Sequence, residues 1–167
     1  MASKALFVTT EDLAKFTALN GNIDPDKFVQ FVKVAQDIHI QTYLGTDLFN
    51  KITTDVIAGT LAGAYLTLVN NYVKDMVFQW ALVEYLPWAA YTIANKGVYK
   101  HTTENGETVD QSEVKYLVEK ARDTAEHYTK RFVDYMCFNS STFTEYTSNT
   151  NADMNPEKGN YYGGWVL

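Results

Sequence analysis

The chain has 167 residues, 46% hydrophobic and 20% charged, which suits one globular domain with a sizeable core. Its net charge of -6 argues against non-specific nucleic-acid binding, which needs clustered Lys and Arg to displace counterions. A single cysteine, Cys137, excludes an internal disulfide.

The opening residues MASKALFVTTEDL do not read as a secretory signal, because the apolar run is short and acidic residues follow at once. Thr9 and Thr10 before Glu11 and Asp12 predict a short helix ending near Asn20 and Gly21. Asp24 can cap a second helix, with Pro25 in its first position. The apolar stripe of that helix is Phe28, Phe31, Ala35, Ile38 and Thr42, widened by Val32 and Tyr43. Gly45 lies just past its end, where a left-handed residue is wanted. Thr46 caps a short helix from Asp47 to about Ile52, and a break follows around Ala58, Gly59 and Thr60.

A long helix is predicted from about Leu61 to Ala94, with Leu61, Tyr65, Leu68, Tyr72, Met76 and Trp80 on one stripe. From Met76 to Ala94 it is apolar nearly all round. Gln79, Glu84 and Pro87 inside that stretch favour a buried central helix over a membrane span. Pro87 removes a backbone donor and is expected to kink or break the helix. Lys96 and Gly97 end it. Asn105 and Gly106 then predict a hairpin over about 97–111, with Tyr99 beside them as a possible contact. The last helix runs from Ser112 to about Cys137. Its expected inner face carries Val114, Leu117, Ala121, Ala125, Tyr128, Phe132 and Tyr135, and Ser112 with Lys115 makes an imperfect cap.

No chemistry stands out. His39, His101 and His127 do not pair at helical metal-site spacing, and Glu126 and His127 are adjacent, so they cannot face one metal. Cys137 is expected to be a buried inert thiol. Glu84 is the oddest carboxylate. It is expected to pair with a cation such as Arg122 or Arg131, or to face a subunit interface. Another reading makes it, with Tyr85 and Trp88, the lining of a ligand or enzymatic pocket in a small helical bundle. The expectation is no catalytic residue, no metal and no cofactor.

Beyond Cys137 the periodicity stops. The stretch is rich in Ser, Thr and Asn, yet it holds Phe143, Tyr146, Tyr161, Tyr162, Trp165 and Leu167. Aromatic anchors on a polar strap point to docking. The reading divides the chain into a helical domain over 1–138 and an extended arm over 139–167 whose aromatic residues contact a neighbour, the alternative being that the arm folds back over its own helices. Mainly α is the fold class: three long helices, shorter ones, a small β-hairpin insertion and the arm.

The segment from Asp24 through Gln36-Asp37-Ile38-His39-Ile40-Gln41-Thr42-Tyr43-Leu44-Gly45 to Asp47-Leu48-Phe49 resembles the first helices of head–tail connector proteins of tailed phages. Asn95-Lys96-Gly97-Val98, the run Tyr128-x-x-Arg131-Phe132-x-x-Tyr135-Met136, Asn139, and Phe143-x-Glu145-Tyr146 resemble small proteins of Bacteroidetes, crAss-like phages. The resemblance covers about residues 24–146. It implies a virion neck protein that forms a ring, commonly a dodecamer, beneath the portal protein. Neighbouring neck or tail proteins would be further partners, and DNA would pass through the channel without specific binding. It implies no catalytic residues, no membrane, and a stay in the host cytoplasm during assembly. A tail-completion or terminator protein is the alternative within the same class.

Overall fold

The structure is a computed structural model, and it describes residues 5–9, 11, 12, 15, 25–89, 91–94, 97–100, 110–150 and 153–159. It is mainly helical. The first predicted helix, over about 10–21, and the Asp24 cap lie almost wholly outside the described residues. The Thr9 hydroxyl accepts the Asp12 N–H at 3.2 Å, as an N-terminal cap would.

Helix α1 (Pro25–Ala35) starts at the expected proline and continues through a π segment, Gln36–Ile40, into α2 (Gln41–Leu44). The π segment overturns half of the expected stripe. Phe28, Val32 and Ala35 are buried as expected, but Ile38 is 55% exposed and Ile40 and Leu44 are fully buried in its place. A π turn holds one more residue than an α turn, so every side chain after it rotates to a new face. Gln36, inside that turn, is buried. It accepts the Phe7 N–H at 2.8 Å and donates to the Ala5 carbonyl at 3.1 Å, which ties the N-terminal segment to the core.

Gly45 has φ 73° and ψ 159°, a glycine-only conformation that turns the chain into α3 (Thr46–Ala58). That helix is longer than expected, and it ends at left-handed Gly59. A helical run follows: α4 (Gly63–Leu68), a second π segment (Val69–Val73), α5 (Lys74–Tyr85) and a 3-10 turn (Leu86–Trp88). This run meets α3 at 99°. Among the described residues no single helix is long and apolar enough to cross a membrane. Most of α5 is buried, including Met76, Val77, Phe78, Trp80 and Val83.

Pro87 stops the run in the 3-10 turn, six residues short of the predicted Ala94. Beyond it, β1 (Tyr91–Ala94) pairs antiparallel with β2 (Gly97–Lys100), with Ile93 opposite Val98. The hairpin predicted over 97–111 is therefore not supported. Residues 97–100 pair backwards in the chain, and 101–109, with Asn105 and Gly106, lie outside the described residues; of Tyr99 only the backbone is described.

Helix α6 (Gln111–Asn139) packs antiparallel on α5, with Tyr72 stacked on Tyr135 and the Trp80 indole N–H on the Thr129 hydroxyl at 3.0 Å. Its cap is Asp110 with Glu113, not Ser112 with Lys115. The Glu113 carboxylate accepts the Asp110 N–H at 2.9 Å, and Asp serves where the pattern names Ser or Thr. Ala121, Ala125, Phe132, Val133 and Met136 are buried. Leu117 is exposed, because burial on α6 begins only at Ala121. Trp80 and Phe132, expected in the core, are there.

Candidate functional site

After α6 come a 3-10 turn (Ser140–Thr142) and α7 (Thr144–Ser148). Phe143, at the start of α7, is 0% exposed and Tyr146 is 3% exposed. Phe143 meets Tyr65 edge-on at 5.3 Å and lies 6.4 Å from Tyr135. The Tyr65 hydroxyl donates to the Glu145 carboxylate at 2.6 Å. Burial, then Glu145 itself, pushes Tyr65 up to about 12. Burial pushes Glu145 the other way, but the Tyr65 hydrogen bond and its neighbours outweigh it and hold the carboxyl below its usual range. Burial likewise raises Tyr146 to about 12. Phe143 and Tyr146 thus belong to the chain's own core. The expectation that they anchor an arm to a partner is corrected, and the core does not end at residue 138.

Residues 149, 150 and 153–159 form a strap over the start of α3. The Asn149 side-chain oxygen accepts the Asp47 N–H at 3.1 Å, and Asp47 in turn accepts the Thr150 N–H at 2.7 Å. The Met154 carbonyl accepts the Thr46 N–H at 3.0 Å, and Glu157 donates its N–H to the Thr42 carbonyl at 2.9 Å. Helix N-terminal N–H groups lack partners within the helix, and here the strap supplies them. Gln41 and Thr46 both donate to the Asp153 carboxylate, at 3.1 and 3.0 Å. Pro156 sits directly over Gly45: a Cβ there would lie 2.6 Å from the proline Cγ. None of the described strap residues is fully buried.

Past Pro156 the strap borders an open groove of about 540 Å³ lined by Tyr43, Trp80, Thr129, Val133, Lys130 and the carboxylates of Glu126, Asp134 and Glu157. Burial raises the Tyr43 hydroxyl, and the charges of Glu157 and Glu126 add to it. Behind the groove, the His39 ring stacks flat on Trp80, with centroids 3.9 Å apart and planes 9° apart. Its Nε2 lies 2.8 Å from Glu84 Oε1. The partner of Glu84 is therefore His39, on the first π segment, not Arg122 or Arg131; Arg131 pairs with Asp75 at 3.5 Å. Tyr85 turns instead to Phe28 and Phe31. The three residues of the expected pocket thus do not share one partner set. Spacing along the chain could not show the His39–Glu84 pair, since it joins residues 45 positions apart.

Among the described residues no group of three His, Cys, Asp or Glu is placed to hold a metal ion. Cys137 is exposed, which corrects the expected buried thiol; it falls on the outer face of the last turns of α6. Tyr161, Tyr162, Trp165 and Leu167, the remaining expected anchors, lie outside the described residues.

A family model described as a family of unknown function, DUF6712, matches residues 40–156. The match runs from the end of the first π segment through the strap to Pro156. No curated protein and no solved structure matches the chain.

Proposed function

The chain belongs to DUF6712, a family of unknown function, and we propose that it is a structural virion protein, a head–tail connector or adaptor subunit that joins a portal protein to the tail. On this reading it closes into a ring, a dodecamer in the commonest form, binds further neck or tail proteins, and catalyses no reaction. DNA passes its channel without specific binding. It resides in the virion neck, and in the host cytoplasm while particles assemble. The reading rests on the resemblance of its motifs to those of phage connectors.

One observation supports it most. Large apolar side chains stand in solvent on a rigid helical body: Trp88 beyond α5, Tyr116 and Leu117 near the start of α6, and Phe138 near its end. Exposed aromatic and aliphatic side chains on a rigid body are what an assembly contact buries. A ring also needs two different faces that meet head to tail. Tyr161, Tyr162, Trp165 and Leu167 would add contacts to a neighbour, reached from a strap that is itself fixed.

The test is a cryo-EM map of a virion neck from a phage that encodes this chain, searched for the helical body. A ring of it beneath the portal supports the proposal. Its presence only at the tail end of the neck would make it a terminator, and its absence from purified particles would end the virion reading. The Glu84–His39 pair beside Trp80 keeps one other reading open, a small ligand-binding or enzymatic bundle. Loss of a ligand-dependent signal in Glu84→Gln, with assembly intact, would favour it.

A further inference from the structure

The outward face of α6 repeats a pattern that reads the same in both directions. Tyr116, His127 and Phe138 are exposed and follow one another at intervals of eleven residues. Eleven residues make three turns of an α-helix plus about 20°, so the three lie on one nearly straight line. Tyr116 is 66% exposed and Phe138 is 87% exposed. Along this line the charges are arranged oppositely about His127, while Glu119, Arg122 and Glu126 lie off it: Lys120 stands seven residues before it and Asp134 seven after. Asp123 stands four before, and Lys130 and Arg131 three and four after.

We infer that this face binds a second copy of the chain, antiparallel, with the two-fold axis at His127. That placement sets Phe138 against Tyr116 of the second copy. It sets Lys120 against the second copy's Asp134, and Asp123 against its Lys130 and Arg131. Every pairing occurs twice, as a two-fold contact requires. The parallel, in-register alternative places each charge on its own like and is disfavoured. Aromatic side chains at both ends close over the charged middle, which supplies orientation. Arg131 already pairs with Asp75, and Lys130 and Asp134 also border the groove, so the contact would sit on a surface organised by α5 and the strap. A closed ring of one orientation is built from head-to-tail contacts, so this two-fold pairing is a separate association of free subunits. It does not depend on the connector reading.

The experiment uses the full chain in sedimentation velocity over a range of concentrations at low salt. The wild type is expected to show a monomer–dimer equilibrium. Asp123→Lys and Lys130→Asp are each expected to weaken it by about tenfold or more, since like charges then meet twice. The double variant Asp123→Lys/Lys130→Asp is expected to recover part of the loss, because opposite charges again face each other at 123 and 130 while Arg131 still repels. As a geometric check, Cys137→Ser/His127→Cys should form a disulfide-linked dimer under mild oxidation. Cys137→Ser/Lys120→Cys should not, because its two thiols would be about 21 Å apart along the helices. A wild type that stays monomeric throughout, a dimer indifferent to both single reversals, or equal cross-linking of the two cysteine variants would overturn the inference. An absent ring in virions would leave all three results unchanged, so the two proposals fail separately.

Discussion

Two neighbouring parts of the C-terminal stretch behave in opposite ways. Residues 143–146 put two aromatic side chains into the core. The strap, residues 149, 150 and 153–159, is held by hydrogen bonds to α2 and α3, and none of its described side chains is fully buried. In sequence both look like one polar tail with aromatic anchors. The difference is what each offers its surroundings. A Phe removed from water stabilises by burial without needing directional partners. The Asn149 side chain and the Met154 carbonyl contribute because backbone donors at a helix start are waiting for acceptors, and Thr150 and Asp153 contribute only by bonding side chains there. The first part is core that follows a helix end, and the second is a cap that happens to be distant in sequence.

The comparison can be broken most directly at Phe143. Phe143→Ala is expected to cost about 3–5 kcal/mol, the range for a fully buried aromatic, as measured by urea unfolding. A loss below about 1 kcal/mol would show that residues 143–146 are as peripheral as the strap. Next in size is deletion of residues 149–167. It leaves the Thr46 and Asp47 N–H groups without their acceptors, and the expected cost is about 2–4 kcal/mol at roughly 0.5–1.5 kcal/mol per net hydrogen bond. An unchanged melting temperature would return the strap to the status of a free arm.

Gly45→Ala sharpens the contrast more gently. It forces a side chain into a positive-φ position and against the Pro156 ring, with an expected cost of about 1–3 kcal/mol. Because the clash falls on the strap, the Glu157 amide should exchange its hydrogen faster while amides of α5 keep their protection. Equal loosening of both would mean that strap and core open together.

The smallest effect is expected at Tyr65→Phe, about 1 kcal/mol at pH 7 from the lost bond to Glu145. The lowered Glu145 pKa makes that contribution complete above the ordinary carboxylate value of 4.5 and progressively lost as pH falls through the folded value. At the alkaline end the sign reverses. The raised Tyr65 contributes fully below 10 and less as pH climbs towards about 12. Wild type and variant should therefore converge in stability at both extremes. A constant difference from pH 3 to 8 would locate the effect in packing instead.

Much of the architecture was legible beforehand. The helical class, the start at Pro25, the turns at Gly45 and Gly59, the break at Pro87 and the burial of Trp80 and Phe132 all follow from local rules, because glycine, proline and helical periodicity act within a few residues. The π segment at 36–40 was not legible. It leaves no local signature, yet it moved Ile38 into solvent and Ile40 into the core. Within it, Gln36 bonds the N-terminal backbone some 30 residues away.

The candidate site divides along the same line. Sequence alone marked Glu84 as out of place in an apolar helix and marked Phe143 and Tyr146 as side chains that must find pockets. Only the tertiary structure decided where each one goes. Glu84 turns to His39 because the π segment aims that ring at Trp80. Phe143 and Tyr146 turn inward because α3, α4 and α6 leave room for them beside Tyr65 and Tyr135. Hydrophobicity, charge and backbone permissiveness belong to a residue and can be read singly. The choice between one's own core and a neighbour depends on which cavity lies within reach, and that is a property of the assembled helices.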